Sequence, residues 1–302
     1  MKILVSGGRI VDSTSTSDSG TSADVIIDGD RIAAVVAPGA SPGEADVDLV
    51  VDAQGCVVSP GLVDLHVHLR EPGREESETI DTGSRAAALG GFTAVVAMPN
   101  TEPPHDSRVV VDFVREQGRR AGWCEVIPSG CITVGRAGQV LAPFAELRDA
   151  GVTFFTDDGN GVQDALLMRR ALEYARDLDV TLAQHCEVAS LTNGAVMHEG
   201  ACCSRLGLPG WPSIAEEMMV QRDIELCRLT GSRVHFLHLS TERSVQMVRD
   251  AKRAGLPITA EAAPHHFTLT DEKLRSFDPV FKVNPPLRTA ADIEALRVSG
   301  AV

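Results

Sequence analysis

The stretch Val63-Asp64-Leu65-His66-Val67-His68-Leu69-Arg70 places two histidines, one residue apart, at the end of an apolar run. On a β-strand, residues i and i+2 point to the same side, so the imidazoles of His66 and His68 are expected to face one point. Two converging imidazoles are suitable ligands for zinc, and the neighbouring Arg70 suits an anionic substrate. Two satisfied polar residues at a strand end are the alternative, so partners elsewhere in the sequence decide between the two interpretations.

From residue 58 onward, short apolar runs alternate with segments of helical periodicity. The predicted strands cover residues 58–66, 92–98, 124–132, 152–156, 181–185, 233–239 and 257–263. The predicted helices cover about 79–89, 107–120, 143–150, 163–178, 213–230 and 241–254. Alternating units of this kind, with nearly continuous apolar strands, indicate an α/β fold with a parallel sheet covered on both faces. A (β/α)8 TIM-type barrel lacking its eighth strand fits this count. A doubly wound open sheet is the main alternative, although no Gly-x-Gly-x-x-Gly turn follows the first strand.

The residues before this region have the pattern of a small β unit. Two apolar segments, 25–27 and 32–36, flank Asp28-Gly29-Asp30, which is a hairpin signal. We therefore predict two domains: an incomplete β-sandwich-like unit over residues 1–57, and a barrel over residues 58–302 that is truncated at its C-terminus.

Composition narrows the class of partner. The formal charge is −14 and no basic stripe is present, so nucleic acid and anionic membranes are not expected partners. No apolar run approaches the roughly 18 residues of a membrane helix. The seven cysteines are irregularly spaced, without a Cys-x-x-Cys pair, which favours reduced thiols and a cytoplasmic location.

Further candidate ligands follow the ends of other predicted strands, where the active sites of such barrels gather. Asn100 follows the second strand, whereas Asp157 and Asp158 end the fourth, His185 ends the fifth and His238 ends the sixth. Any one of these alone is explained by packing or solvation. Together with the first pair, they favour a metal site, because imidazole and carboxylate are the ligands that zinc takes in open catalytic sites.

The other histidines are given lesser roles. His105 and His198 lie in polar loops and are predicted to be solvated, whereas His235 is predicted to pack in the interior. His265 and His266 end the seventh strand, where a role beside the ligands or the substrate is the alternative to packing.

Taken together, these motifs resemble the dihydroorotases of the bacterial type I group, within the amidohydrolase superfamily. The resemblance covers residues 58–288. It rests on these segments: Asp64-Leu65-His66-Val67-His68-Leu69-Arg70-Glu71-Pro72-Gly73, Glu78-Thr79-Ile80, Gly90-Gly91-Phe92-Thr93, Met98-Pro99-Asn100-Thr101, Asp157-Asp158-Gly159, Gln184-His185-Cys186-Glu187, Gly207-Leu208-Pro209-Gly210-Trp211-Pro212-Ser213, His238-Leu239-Ser240 and Lys282-Val283-Asn284-Pro285-Pro286-Leu287-Arg288.

The resemblance implies a set of ligands for one or two zinc ions per subunit, namely His66, His68, Asp158, His185 and His238. The first two would bind one ion, the last two would serve a second position, and Asp158 would lie between them, with Asp157 as its alternative. The implied substrate-binding residues are His68, Arg70, Asn100 and Asn284.

The implied reaction is the reversible closure of N-carbamoyl-L-aspartate to L-dihydroorotate, a step of de novo pyrimidine (UMP) biosynthesis. Zinc-activated hydroxide would attack the amide carbonyl of the ring. The implied partner is this small molecule. A homodimer and an association with aspartate transcarbamoylase both stay open.

One family feature is missing from this sequence. In the family, the eighth strand carries an aspartate in a Thr-Asp-His-Ala-Pro-His motif, which ligates metal and shuttles the proton. The sequence reaches Val302 without that motif. The catalytic acid/base residue is therefore expected beyond Val302, and the chain as given is expected to have little or no activity.

Two alternative functions are weighed against this one. Hydantoinase-like or allantoinase-like cyclic amidohydrolases use a carbamylated lysine where Asp158 stands, but this sequence has no lysine between Lys2 and Lys252. Arg70 also favours a substrate with a free carboxylate. A non-catalytic dihydroorotase-like scaffold for aspartate transcarbamoylase would be expected to lose metal ligands, and the candidate ligands are all present here.

Overall fold

The computed structural model describes residues 1–12, 21–40 and 46–298. Contacts divide the chain into two compact units, Met1–Leu62 and Val63–Val302. The division falls five residues after the predicted boundary, because Val57 and Val58 form a short strand that pairs with the first strand of the chain.

The first unit is a single mixed sheet. Its strands are β1 (Lys2–Ile10), β2 (Ser22–Asp28), β3 (Arg31–Val36), β4 (Leu49–Asp52) and β5 (Val57–Val58). The order is β3-β2-β1-β4, with β5 also pairing with β1. The predicted hairpin is present as the antiparallel pair β2 and β3. Within the described residues, this unit has one sheet, so the second layer of the predicted sandwich is not part of it.

The second unit alternates strands and helices. The strands are β6 (Leu62–Val67), β7 (Phe92–Ala97), β8 (Glu125–Pro128), β9 (Phe154–Thr156), β10 (Thr181–Gln184), β11 (Met197–His198), β12 (Gly210–Trp211), β13 (Val234–Phe236) and β14 (Ile258–Ala260). The helices are α1 (Ile80–Leu89), α2 (Arg108–Ala121), α3 (Phe144–Asp149), α4 (Ala165–Asp177), α5 (Ala189–Thr192), α6 (Ala201–Leu206), α7 (Ile214–Thr230), α8 (Glu242–Arg253) and α9 (Ala290–Val298). All seven predicted strands and all six predicted helices are present, with bounds that differ by no more than four residues.

Seven strands of this unit lie in chain order. One sheet has the order β6-β7-β8 and another the order β9-β10-β13-β14, the latter with parallel pairs throughout. Gly130, two residues beyond β8, forms a parallel bridge with Phe155 of β9 and so joins the two sheets. A doubly wound sheet reverses its strand order at one point. The described strands show no reversal, which argues against that alternative.

Helices α3, α4, α7 and α8 pack on strands β9, β10 and β13 through one large apolar cluster. Local sequence supports the helix starts. The hydroxyl of Thr79 accepts from the amide of Thr82 at 3.1 Å and so caps α1, and the carboxylate of Asp164 caps α4 through the amide of Leu167 at 2.7 Å. This packing fixes the strand ends, and therefore the side chains that follow them.

Two segments have structure that we did not predict. A two-stranded ribbon, β11 and β12, lies between β10 and α7 together with α5 and α6, and three 3₁₀ turns and α9 follow β14. Among the described residues, no helix combines the length and the apolarity needed to cross a bilayer.

Candidate metal centre

The predicted ligands all lie at or just beyond the carboxyl end of a strand. His66 is the penultimate residue of β6, and His68 follows that strand directly. Asp158 comes two residues after β9, His185 directly after β10, and His238 two residues after β13. Because neighbouring parallel strands end at the same edge, these side chains meet in one place.

The carboxylate of Asp158 lies between two pairs of imidazoles. Its Oδ2 is 3.4 Å from Nε2 of His66 and 3.5 Å from Nε2 of His68. Its Oδ1 is 3.4 Å from Nδ1 of His185 and 3.4 Å from Nε2 of His238. The result is two three-donor clusters, His66–His68–Asp158 and Asp158–His185–His238, that share one carboxylate.

This donor set fits a divalent metal ion. Within each cluster, the candidate ligand atoms lie within 4.8 Å of one another. Asp158 is only 3% exposed, and its Oδ1 is buried without a hydrogen-bond partner in the described part of the chain. A buried carboxylate oxygen without a hydrogen-bond partner destabilises the folded protein unless a cation compensates its charge. Imidazole nitrogen and carboxylate oxygen are also the donors that zinc prefers.

Three of the four imidazoles form a hydrogen bond through the ring nitrogen that points away from Asp158. Nδ1 of His66 is 2.6 Å from Oε1 of Glu261, and Nε2 of His185 is 2.9 Å from Oε2 of Glu187. Nδ1 of His68 is 2.9 Å from Oδ1 of Asn100. A carboxylate or carbonyl oxygen only accepts, so each of these ring nitrogens carries the proton and the opposite nitrogen faces Asp158.

The electrostatics of the site are dominated by its carboxylates. Burial lowers the pKa of His66, but its hydrogen bonds to Asp158 and Glu261 outweigh burial and raise the pKa to about 10. Burial also lowers the pKa of His185, whereas Asp158 and Glu187 raise it to about 9. Burial would raise the pKa of Asp158, but the surrounding imidazoles hold it well below its usual range. The negative potential that favours a proton here also favours a divalent cation.

The neighbouring Asp157 points into the protein. Its Oδ1 accepts from the amides of Ile132 and Thr133 at 2.9 and 3.0 Å, and its Oδ2 accepts from the hydroxyl of Thr133. Of the two alternative ligands in the sequence, the geometry therefore favours Asp158.

The predicted substrate residues lie around the clusters. Arg70 follows the His-x-His pair with a left-handed backbone, φ = 62°, and its guanidinium has no hydrogen bond or ion pair with any described residue. Asn284 is exposed at the rim of a cavity of about 520 Å³. His265 and His266 line the same cavity, and Nε2 of His266 is 2.9 Å from the carbonyl of Pro285.

Two of the remaining histidines are not where we predicted. His105 is fully buried, with Nδ1 2.9 Å from the carbonyl of Ser129, and His198 is buried with Nδ1 3.2 Å from Nη1 of Arg288. The prediction that both are solvated is wrong, because residues distant in the sequence contact and bury each imidazole. His235 is buried, as predicted.

Comparison with known proteins gives the family. Residues 55–244, more than half of the chain, match the family described as Dihydro-orotase-like. The chain is 50% identical over 298 residues to the dihydroorotase of Streptomyces coelicolor, an alignment that covers 98% of the chain and 67% of that relative. The chain belongs to the dihydroorotase-like family. The family predicted from the motifs is therefore confirmed.

Other members of the dihydroorotase-like family are similarly close. The dihydroorotase of Mycobacterium leprae is 50% identical over 299 residues, which cover 98% of the chain and 67% of the relative. That of Syntrophobacter fumaroxidans is 50% identical over 237 residues, which cover 78% of the chain and 54% of the relative. The chain thus spans between about half and two thirds of the length of these curated relatives.

Solved structures resemble this family member in fold. The L-hydantoinase (dihydropyrimidinase) from Arthrobacter aurescens superposes with a TM-score of 0.79 at 20% identity, covering 97% of the chain and 65% of the hydantoinase. The dihydropyrimidinase from Brevibacillus agri gives a TM-score of 0.74 at 22% identity, covering 98% and 65%. At these identities the likeness concerns the fold alone.

Three residues at the site were not assigned a role from the sequence. Glu187 lies two positions after His185, just beyond the fifth predicted strand, whereas Glu261 lies within the seventh predicted strand, so only Glu187 stood after a predicted strand end. Arg136 donates from Nε to the carbonyl of Asp157 at 3.4 Å and from Nη2 to the carbonyl of Asp158. No local pattern marks Arg136, because its contacts are about 20 positions away in the chain.

Proposed function

We propose that this chain carries the metal centre and the substrate-binding face of a dihydroorotase, which interconverts N-carbamoyl-L-aspartate and L-dihydroorotate. The observation that carries the proposal is the shared carboxylate of Asp158, with two imidazoles beside each oxygen. The identity of about half of the aligned residues to proteins named dihydroorotase supports it.

Zinc is the metal we propose for this centre, with up to two ions held by the two clusters. The donors are nitrogen and oxygen atoms, and neither cluster contains a cysteine. When bound, zinc would supply Lewis-acid polarisation of the ring carbonyl and would lower the pKa of water.

The chain's own residues would bind and orient the substrate carboxylate. The guanidinium of Arg70 is free of partners among the described residues and offers a planar pair of donors that matches a carboxylate. Asn100 uses Oδ1 on His68, which leaves its amide nitrogen available as a further donor. Asn100 would therefore couple substrate binding to the orientation of a metal ligand, with the proton held on Nδ1 of His68.

For the architecture we propose a (β/α)8 barrel that lacks its eighth strand within this chain. Support comes from seven strands in chain order and from the 2.6 Å contact between His66, in the first of them, and Glu261, next to the last. A flat sheet of seven strands would keep these residues far apart, since neighbouring strands are about 4.8 Å apart.

A hydantoinase-like activity is the second candidate, supported by the likeness in fold to hydantoinases. Two features of this chain weigh against it. An aspartate lies between the two histidine pairs, and Arg70, whose guanidinium has no hydrogen bond or ion pair with a described residue, follows the first pair in the chain. The predicted cytoplasmic location, homodimer and association with aspartate transcarbamoylase stay predictions.

Metal content and ligand binding test the proposal. The chain, purified without chelators, is expected to contain zinc by mass spectrometry of the metals, and the double variant His66→Ala/His68→Ala is expected to lose most of it. His105→Asn, which changes a buried histidine outside the clusters, is the control and should retain zinc.

Calorimetry with the zinc-loaded chain is then expected to detect binding of L-dihydroorotate. A chain that takes up no zinc even when zinc is added would overturn the metal centre. A zinc-loaded chain that binds hydantoin but not L-dihydroorotate would favour the second candidate.

A further inference from the structure

We propose that Glu261 is a positioning residue of the metal centre, whose carboxylate fixes the imidazole of His66 from behind and the backbone turn at His238. The inference rests on the proposed metal centre and adds to it a residue that lies outside both donor clusters. Glu261 follows β14 directly, whereas His66 lies in β6, at the opposite end of the strand order.

The first contact is with His66. Oε1 of Glu261 is 2.6 Å from Nδ1 of His66, and Nε2 of the same ring is 3.4 Å from Oδ2 of Asp158. Because a carboxylate only accepts, Nδ1 carries a proton, and Nε2 is the nitrogen whose lone pair is available to a metal ion. Glu261 thus sets the tautomer that a metal ligand needs and holds the plane of the ring.

The second contact is with the other cluster. Oε1 of Glu261 also accepts from the backbone amide of His238 at 3.3 Å. His238 has a positive φ of 32°, which non-glycine residues rarely adopt and which therefore needs support from the surrounding structure. One carboxylate oxygen therefore supports a ligand of each cluster.

The carboxylate is itself held in place. Oε2 of Glu261 is 3.2 Å from Nε2 of buried His235, and Nδ1 of His235 is 2.8 Å from Oγ1 of Thr259. Since His235 donates to Glu261, its Nδ1 accepts from the hydroxyl of Thr259. The result is a continuous hydrogen-bonded chain, Thr259–His235–Glu261–His66, that leads from the strands to the metal centre.

This arrangement predicts the effect of Glu261→Gln. Glutamine has the same shape but no charge. Its Oε1 can still accept from the ring N–H of His66, but that hydrogen bond is no longer charge-assisted, and its NH₂ can face His235 only if that ring takes its other tautomer. The hydrogen bond that orients His66 is therefore weaker. Loss of such an outer partner typically weakens metal affinity about 10–100-fold, and we expect a loss in that range for zinc.

The experiment measures zinc affinity by competition with a chromophoric chelator, the visible absorption spectrum of the Co²⁺-loaded chain, and the Tm of the metal-free chain. Glu261→Gln is expected to lower the affinity about 10–100-fold and to alter the Co²⁺ spectrum, with the metal-free Tm little changed. Glu125→Gln, which makes the same change at an exposed position in β8, is the matched control and should behave like the unaltered chain.

Three results would overturn the inference. The first is an unchanged zinc affinity and Co²⁺ spectrum in Glu261→Gln. The second is a loss of affinity matched by a large drop in the metal-free Tm, which would give Glu261 a structural role. If Glu261→Gln does not fold, Glu261→Asp takes its place, since it keeps the charge on a shorter side chain and should give an intermediate zinc affinity. The third result is an unaltered zinc affinity in Glu261→Asp. Failure of the metal centre itself would be seen separately, as absence of zinc binding in the unaltered chain, and would remove both proposals.

Discussion

Asp157 and Asp158 are adjacent in the sequence and lie in opposite environments. Asp157 accepts from two backbone amides and one hydroxyl, and burial raises its pKa. Asp158 faces four imidazoles. Burial would raise its pKa, but His185, His238 and His66 hold it well below the usual range. Hydrogen bonds to the backbone indicate a structural role for the first, and the imidazoles indicate a ligand role for the second.

Replacing each aspartate by alanine should separate the two roles. Asp158→Ala is expected to abolish zinc uptake. Asp157→Ala leaves two buried amides unpaired, at about 1–3 kcal/mol each, so it should lower the Tm while the folded protein still binds zinc. Zinc content and thermal unfolding of both variants check this. If folded Asp157→Ala loses zinc as completely as Asp158→Ala, the assignment of roles is wrong.

Arg70 should set the preference for a charged substrate. Arg70→Lys keeps the charge but replaces the planar pair of donors by a single ammonium group. Affinity of the zinc-loaded chain for L-dihydroorotate should fall about tenfold or more, as for loss of a charged hydrogen bond, while affinity for uncharged hydantoin changes little. Calorimetry with both compounds measures the difference. Equal losses would mean that Arg70 acts on the structure of the loop.

The position of a single side chain was predictable where the sequence places its residue at a strand end. His185 and His238 are two such residues, and the structure places both beside Asp158. His105 and His198 were judged from the polar residues beside them, yet their burial depends on Ser129 and on Arg288, which is 90 positions from His198. Local polarity does not reveal such distant partners.

At the scale of elements, the loop between β7 and α2 is fastened to the end of β8. The imidazole of His105 donates to the carbonyl of Ser129, and the carbonyl of His105 accepts from the amide of Cys131 at 3.0 Å. Burial lowers the pKa of His105 to about 4 although the carbonyl of Ser129 opposes this. The native protein therefore keeps this imidazole neutral.

This buried imidazole should make stability depend on pH. The unfolded chain binds the proton near pH 6.5, whereas the native chain resists it down to about pH 4. His105 therefore does not reduce the free energy of unfolding above pH 6.5. As the pH falls from 6.5 to 4, the free energy of unfolding should decrease by about 3 kcal/mol, because the unfolded chain takes up the proton first.

Urea unfolding of the metal-free chain and of His105→Asn across this pH range measures the effect. Asparagine can still donate to Ser129 but does not titrate, so the difference in unfolding free energy between the two proteins should shrink as the pH falls. Parallel pH profiles would show that His105 does not titrate in this window.

Elements were predicted well where periodicity is long enough to read. The helices of the second unit repeat their apolar positions over two turns or more, and their predicted bounds lie within a few residues of those in the structure. The two-residue strands β11 and β12 are too short to carry a period. The contact of Glu261 with His66 was not predicted, because it depends on how the strands curve and not on either local segment.

At the scale of the whole molecule, seven strands of the second unit follow one another in chain order, from β6 to β14. Among the described residues, β6 and β14 are the first and last strands of this row. Val63 and Leu65 on β6 are 55% and 41% exposed. Exposed apolar side chains on a strand without a neighbour on one side are a recognised route to association with other chains.

If the acid/base group is the aspartate of the Thr-Asp-His-Ala-Pro-His motif, as the resemblance implies, a form that includes this motif should be more active and more stable. Loss of a general acid/base typically costs about 10²–10⁴-fold in rate. Ring closure of N-carbamoyl-L-aspartate and the Tm should both rise in the longer form. Equal turnover by the two forms would place the acid/base group within residues 1–302, with His265 or His266 as the first candidates.

The contact between Glu261 and His66 joins residues that are 195 positions apart. During synthesis at about 5–20 residues per second, His66 exists for roughly 10–40 s before its carboxylate partner is made. All five residues of the two donor clusters precede Glu261 in the chain. The residue that orients His66 is therefore made after every residue of those clusters, so the hydrogen bond from His66 to Glu261 is among the last contacts of this site that can form during synthesis.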